Sequence, residues 1–318
     1  MKNCRSVIGG ALAAALSLAS IGTAHAQDKV KFAYLKTLNI IPFYYALDKG
    51  LFKAEGVDLE LIPVQNGPAA AAAVVSGSAH LGDAAPTPII VARSQNQPFK
   101  FVIGLDAEST PGKLYDTMIA SKRSGAKTFK DLIGKTVLMN APGGLCDLAW
   151  QDWLAKNQIA ANQVKFLVAP FPQYQAMLEL GTADAACSAE PFTSGIKQSK
   201  VEPVVLASGF LAEEKQRYMI EGVFATEAWA AQNKKTIAAV KRALARAVGE
   251  LKGNKDALRK ILTDEYRLPP ALAESLKLNL DPPLDIDPKD LQPILAAMEK
   301  YGMVKRGISA ADLVADLH

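Results

Sequence analysis

Cysteine, histidine and carboxylate side chains carry most protein chemistry, and this 318-residue chain is sparing with the first two. Cys4 and His25 lie in an N-terminal stretch of special character, which leaves Cys146, Cys187, His80 and His318. A zinc site needs three or four suitable ligands, and no such cluster exists here. A Ser-His-Asp apparatus would have to recruit His80, inside a strand-like run, or the terminal residue. His80 therefore reads as structural, and neither a metal nor a cofactor is expected. The carboxylates are more suggestive. "GSAHLGDAAPTP" (residues 77–88) and "GTADAACSAEP" (181–191) both run from a glycine through a short apolar stretch to an acid and a proline. Upstream, Pro68 and Pro172 each start a run that ends at Gly77 and Gly181, and the two copies stand 104 residues apart. A helix-sized run and a strand-sized run with one offset indicate two lobes built on one plan.

The elements that must position these acids can be read from periodicity and punctuation. Residues 30–35, 57–64, 79–84 and 99–105 read as strands, and proline-led, glycine-ended helices separate them. A second cycle opens with "DTMIAS" (116–121), "KTVLMN", a helix after Gly143-Gly144, "VKFLVAP", a helix from Pro172, "ADAACS" and "EPVVLA". "YMIEGVFA" (218–225) is a strand leading out, and the chain beyond residue 226 is almost wholly helical. Alternating strands and helices imply an α/β protein whose mostly parallel sheets are wrapped by helices. The expected division is lobe 1 at 27–115 and 226–318 and lobe 2 at 116–225, with crossovers near Tyr115 and Phe224.

Lys2 and Arg5, an apolar stretch and the small-x-small "AHA" at 24–26 have the form of a secretory signal peptide over residues 1–26. Its removal takes the formal charge from +4 to about +2. With no basic run, nucleic acid is not an expected partner. A soluble, exported, periplasmic monomer is the expectation.

Ligands of open α/β sheets sit beyond the carboxyl ends of the parallel strands. The strand-end loops here are "KTLN" (36–39), "QNGP" (65–68), "DAAPT" (83–87), "NAPGGLCD" (140–147), "PFPQ" (170–173) and "SAEP" (188–191). Each feeds a helix N-terminus, where free N–H groups favour oxygen-rich groups. Gly143-Gly144 is the strongest candidate, since successive glycines let a ligand approach the backbone. The turn lacks the spacing of a dinucleotide loop and the lysine of a P-loop.

The run "IPFYYALDKGLFKAEGVDLELIPVQNGPAAAAAVVSGSAHLGDAAPTP", with "DLIGKTV" and "GTADAACSAEP", resembles the solute-binding proteins of nitrate/sulfonate/taurine-type ABC importers, a group related to the thiamine-pyrimidine synthases. The resemblance runs from about Val30 to about Val240. It implies a type II periplasmic binding protein fold, two doubly wound lobes joined by two hinge strands. The implied function is capture of a small solute, an oxyanion or polar organic molecule, for an ABC permease in the inner membrane. Carried over by position, the ligand-facing residues are Thr37, Leu38, Asn39, Gly67, Pro68, Asp83, Ala84, Thr87, Gly143, Gly144, Leu145, Cys146, Gln173 and Glu190. Two departures bear on the ligand. Gly144 stands where sulfonate binders of this group commonly place a hydroxyl residue. Lys36 is the only cation in the quoted loops, against Asp83, Asp147 and Glu190. An anion would depend mainly on helix N-termini, a nitrogen heterocycle or a ligand with hydroxyl or amine donors would suit Glu190 and Asp83, and both readings stay open. The synthases are enzymes that consume a histidine and use a cysteine-rich motif, which this chain lacks. The other alternative is a ligand-sensing partner of a membrane receptor.

Cys146 and Cys187 fall at the ends of neighbouring elements of lobe 2. An oxidising compartment permits a disulfide, but the strict geometry of a bridge favours two free thiols as the expectation.

Overall fold

The computed structural model describes residues 27–108, 117–209, 211, 217–276 and 278–317. The signal-peptide segment and Tyr115 lie outside the described residues. Among the described residues ten strands are formed: β1 (Asp28–Tyr34), β2 (Val57–Pro63), β3 (Leu81–Ala84), β4 (Phe99–Glu108), β5 (Thr117–Ala120), β6 (Thr136–Met139), β7 (Lys165–Val168), β8 (Ala185–Ser188), β9 (Val204–Ser208) and β10 (Tyr218–Thr226). Between β1 and β4 lie α1 (Ile41–Asp48), α2 (Leu51–Ala54), α3 (Gly67–Val75) and α4 (Pro86–Ser94). The second cycle holds α5 (Leu145–Lys156), α6 (Tyr174–Leu180) and α7 (Phe192–Lys197). The tail contributes α8 (Glu227–Gln232), α9 (Lys234–Leu251), α10 (Lys255–Asp264), α11 (Pro270–Ser275) and α12 (Gln292–Lys300).

The strands form two five-stranded sheets, ordered β2-β1-β3-β10-β4 and β7-β6-β8-β5-β9. The internal repeat is visible in this order. β3 and β8 stand 104 residues apart, and each is the middle strand of its sheet. The glycines that close the preceding helices, Gly77 and Gly181, share a φ of +75°, the left-handed geometry that glycine adopts without a Cβ penalty. In each sheet one strand runs antiparallel: β10 against β3 and β4, and β5 against β8 and β9. These are the strands by which the chain returns to the first sheet and arrives in the second.

That topology corrects one assignment. Residues 218–225 were expected to end lobe 2, with the crossover near Phe224. β10 instead lies inside the first sheet, where Phe224 pairs with Gly82 and Phe101, and the return occurs between β9 and β10. Local β propensity marks the segment as a strand and says nothing of the sheet it joins, which long-range hydrogen bonding settles.

Helix α9 buries Ile237, Val240, Leu244, Ala247 and Leu251, the helical spacing of one apolar stripe, in a core with α1, α2 and β1. A second apolar cluster runs continuously from the opposite face of the first sheet, through α4 and α12, to α5 and the second sheet. The tail therefore packs mainly on the first lobe, while α12 also touches α5. Tyr301, just past α12, donates its hydroxyl to Asp152 Oδ1 of α5 at 2.7 Å. No helix among the described residues is long and apolar enough to cross a membrane.

Candidate functional site

Two adjoining pockets, of about 480 and 490 Å³ including space open to solvent, share Thr37, Ala189, Ile220 and Glu221 and form one cleft between the sheets. Its first-lobe wall is built by the chain leaving β1 (Leu35, Thr37, Leu38, Asn39) and by the starts of α3 (Gly67, Pro68) and α4 (Ala85, Pro88). The second-lobe wall comes from the loop into α5 (Asn140, Ala141, Gly144, Leu145, Cys146), from Phe171, and from the end of β8 (Ala189, Glu190). Leu105 and Asp106 of β4, Ile220 and Glu221 of β10, and Asn279 of the tail complete it.

Asn66 joins the two walls. Its Oδ1 caps α3 by accepting from Ala69 N at 3.0 Å, and its Nδ2 donates across the cleft to Asn140 O at 3.4 Å. Gly67 is required by packing: a Cβ there would stand 2.8 Å from Pro88 Cγ. Thr37 donates its hydroxyl to Asn39 Oδ1, and its carbonyl accepts from the Tyr266 hydroxyl at 2.5 Å.

The carboxylates at the cleft are held by neutral donors. Asp106 Oδ1 accepts from Ala107 N at 2.8 Å and Asn279 Nδ2 at 2.7 Å. Glu190 accepts from Ser194 N at 3.0 Å and from Ser194 Oγ at 2.8 Å, so it also caps the first turn of α7. Burial raises the pKa of both acids above the usual carboxylate range. Beneath the floor, Asp83 Oδ2 accepts from Leu35 N at 3.4 Å and the Asp83 carboxyl hydrogen-bonds that of Glu221. Complete burial is the first cause that pushes Asp83 upward.

Of the residues expected from the sequence, Thr37, Leu38, Asn39, Gly67, Pro68, Gly144, Leu145, Cys146 and Glu190 line the cleft. The other five do not. Asp83, Ala84 and Thr87 are wholly buried, because β3 is the central strand and α3 packs on both β3 and α4. Gly143 serves a turn: its φ is +68° and its N–H donates to Asp147 Oδ2 at 2.8 Å. Gln173 is exposed away from the cleft. Asp106, Glu221 and Asn279 escaped the sequence reading, since strand-end position points only to loops after parallel strands.

The free-thiol expectation is overturned. Cys146 and Cys187 form a disulfide, with Cα atoms 5.5 Å apart. β6 and β8 are direct neighbours, so the first turn of α5, which follows β6, settles against the end of β8. His80 takes the structural role expected of it. Its Nδ1 accepts from Lys31 N at 3.0 Å, and its ring stacks on Trp229 at 5.8 Å.

Two sheets, each with one antiparallel strand, enclosing a cleft between their helix starts define the type II periplasmic binding protein fold. The alkanesulfonate-binding protein SsuA of Xanthomonas axonopodis pv. citri, solved bound to MOPS, matches with a TM-score of 0.77 over 92% of this chain and 99% of its own, at 19% identity. The periplasmic nitrate-binding protein NrtA of Synechocystis PCC 6803 matches with a TM-score of 0.73 over 92% and 86% of the two chains, at 16% identity. In sequence, the nitrate/nitrite binding protein NrtA of a Nostoc strain is 26% identical over 275 residues. That alignment takes in 80% of this chain but spans only 62% of the relative's length. The profile of the NMT1/THI5-like family matches residues 37–257, and the chain belongs to that family.

Proposed function

We propose that this protein is the extracytoplasmic solute-binding component of an ABC importer, a periplasmic monomer that takes a small polar solute between its lobes and delivers it to a permease in the inner membrane. One observation carries the reading: both lobes, with β4 and β10 of the first sheet between them, contribute walls to a single cleft. The named relatives and structural neighbours, which bind nitrate or sulfonates, support it. The lining also favours binding over catalysis. It contains no histidine among the described residues, and its one cysteine, Cys146, is tied in a disulfide.

Native mass spectrometry after incubation with a library of bacterial small molecules tests this reading. A 1:1 adduct is expected on the wild type and none on Ala189→Trp, which fills the wall common to both pockets. An adduct that persists on folded Ala189→Trp, or no adduct on the wild type, overturns it.

A further inference from the structure

We infer that the solute is a small organic cation bearing an amine, amidine or guanidine group, seated against Asp106, Glu190 and Glu221. The inference rests on the solute-capture reading above and departs from the anions that the named relatives bind. Three carboxylates line the first pocket, and no lysine, arginine or histidine lines either pocket among the described residues. Lys36, the nearby cation, is engaged elsewhere. Its Nζ donates to Glu265 O at 2.5 Å and lies 5.5 Å from the Tyr266 ring centre and 5.9 Å from that of Tyr44.

A cleft without cations binds an oxyanion through helix N-termini, and three of those at this cleft, α3, α4 and α5, are poorly equipped for it. α3 has Pro68, without an N–H, at its second position, and Asn66 Oδ1 already accepts from Ala69 N. α4 begins Pro86-Thr87-Pro88, so two of its first three residues lack donors. α5 carries the Asp147 carboxylate in its first turn, where it accepts from Gly143 N at 2.8 Å. An anion here would meet three carboxylates, with Asn39 Nδ2 as a buried donor that has no protein partner; a cation would meet charge-assisted acceptors already positioned by Asn279 and Ser194. Burial raises the pKa of Asp106 and Glu190 against the hydrogen bonds each accepts and, for Glu190, against the charge of Lys197.

Isothermal calorimetry and thermal shift should be run with agmatine, benzamidine and 4-aminopyridine as cations, and with nitrate and ethanesulfonate as oxyanions. At least one cation is expected to bind and raise the melting temperature, while both oxyanions leave it unmoved. Asp106→Asn should weaken that binding by about tenfold or more, with Glu190→Gln as the second variant should the first not fold. Tighter binding of either oxyanion overturns the inference and leaves solute capture standing. Silence of all three cations also overturns it, and the library adduct, present or absent on the wild type, then decides solute capture separately.

Discussion

Replacing both Cys146 and Cys187 with alanine removes a bridge that closes a loop of sequence separation 41. In the chain-entropy treatment, such a cross-link removes about 4 kcal/mol of freedom from the unfolded chain at 25 °C. Both cysteines are buried, so the alanines add a small loss of packing in the same direction. With a urea slope of about 3 kcal/mol/M, the unfolding midpoint of the second lobe should fall by roughly 1.3 M. Fluorescence can follow that lobe, because Trp150 and Trp153 both lie on α5, beside the bridge. Dithiothreitol should lower the wild-type midpoint toward that of the variant and leave the variant unchanged. The bridge also ties the cleft-lining start of α5 to the strand that leads to Ala189 and Glu190, so ligand affinity should fall with it. Two thiols titrated in the unfolded, unreduced protein would refute the reasoning. So would a double-alanine midpoint within about 0.2 M of the wild type, a difference of roughly 0.6 kcal/mol at that slope.

Other expectations follow from single contacts. Ser194→Ala removes the hydroxyl partner of Glu190 in the first turn of α7 and should cost about 1 kcal/mol of stability, with a smaller loss of ligand affinity than Glu190→Gln gives. Glu190→Gln should weaken binding by about 1.5–3 kcal/mol; calorimetry beside thermal melts separates the two, and an unchanged affinity with a lowered melting temperature in Glu190→Gln would leave Glu190 as a cap alone. Glu108 is buried, and that burial, with Asp106 adding to it against the hydrogen bond from Tyr218, pushes its pKa up to about 8 from an ordinary 4.5. Between those values the folded protein holds a proton that the unfolded chain has released. Its contribution to stability is fully present below pH 4.5 and is lost as pH rises through about 8, at up to about 1.4 kcal/mol per pH unit. Urea midpoints measured from pH 5 to 8.5 should fall in the wild type and flatten in Glu108→Gln; parallel profiles would assign the slope to other groups.

Local physics made much of this protein legible. Apolar alternation marked the strands, and prolines and glycines marked the helix ends, because both depend on residues a few positions apart. The 104-residue echo of a proline-led helix closed by a glycine, Pro68 to Gly77 and Pro172 to Gly181, revealed two lobes, and the strand-end rule led to Thr37, Gly67, Gly144 and Glu190. Long-range pairing decided the rest. β10 joins the first sheet although it follows the second in sequence, and so Glu221 faces a cleft that no loop rule anticipates. Asn279 reaches Asp106 across 173 positions of chain. Asp83 and Glu190 both precede a proline near the end of a middle strand, yet Asp83, inside β3, is buried beneath the cleft while Glu190, two residues beyond β8, lines it. Where each strand ends is set by its pairing in the sheet, and that decides which acid is covered and which reaches the cleft. The disulfide has the same origin: two cysteines 41 residues apart meet because β6 lies directly beside β8, an adjacency that hydrogen bonding between strands sets and the residues flanking either cysteine do not encode.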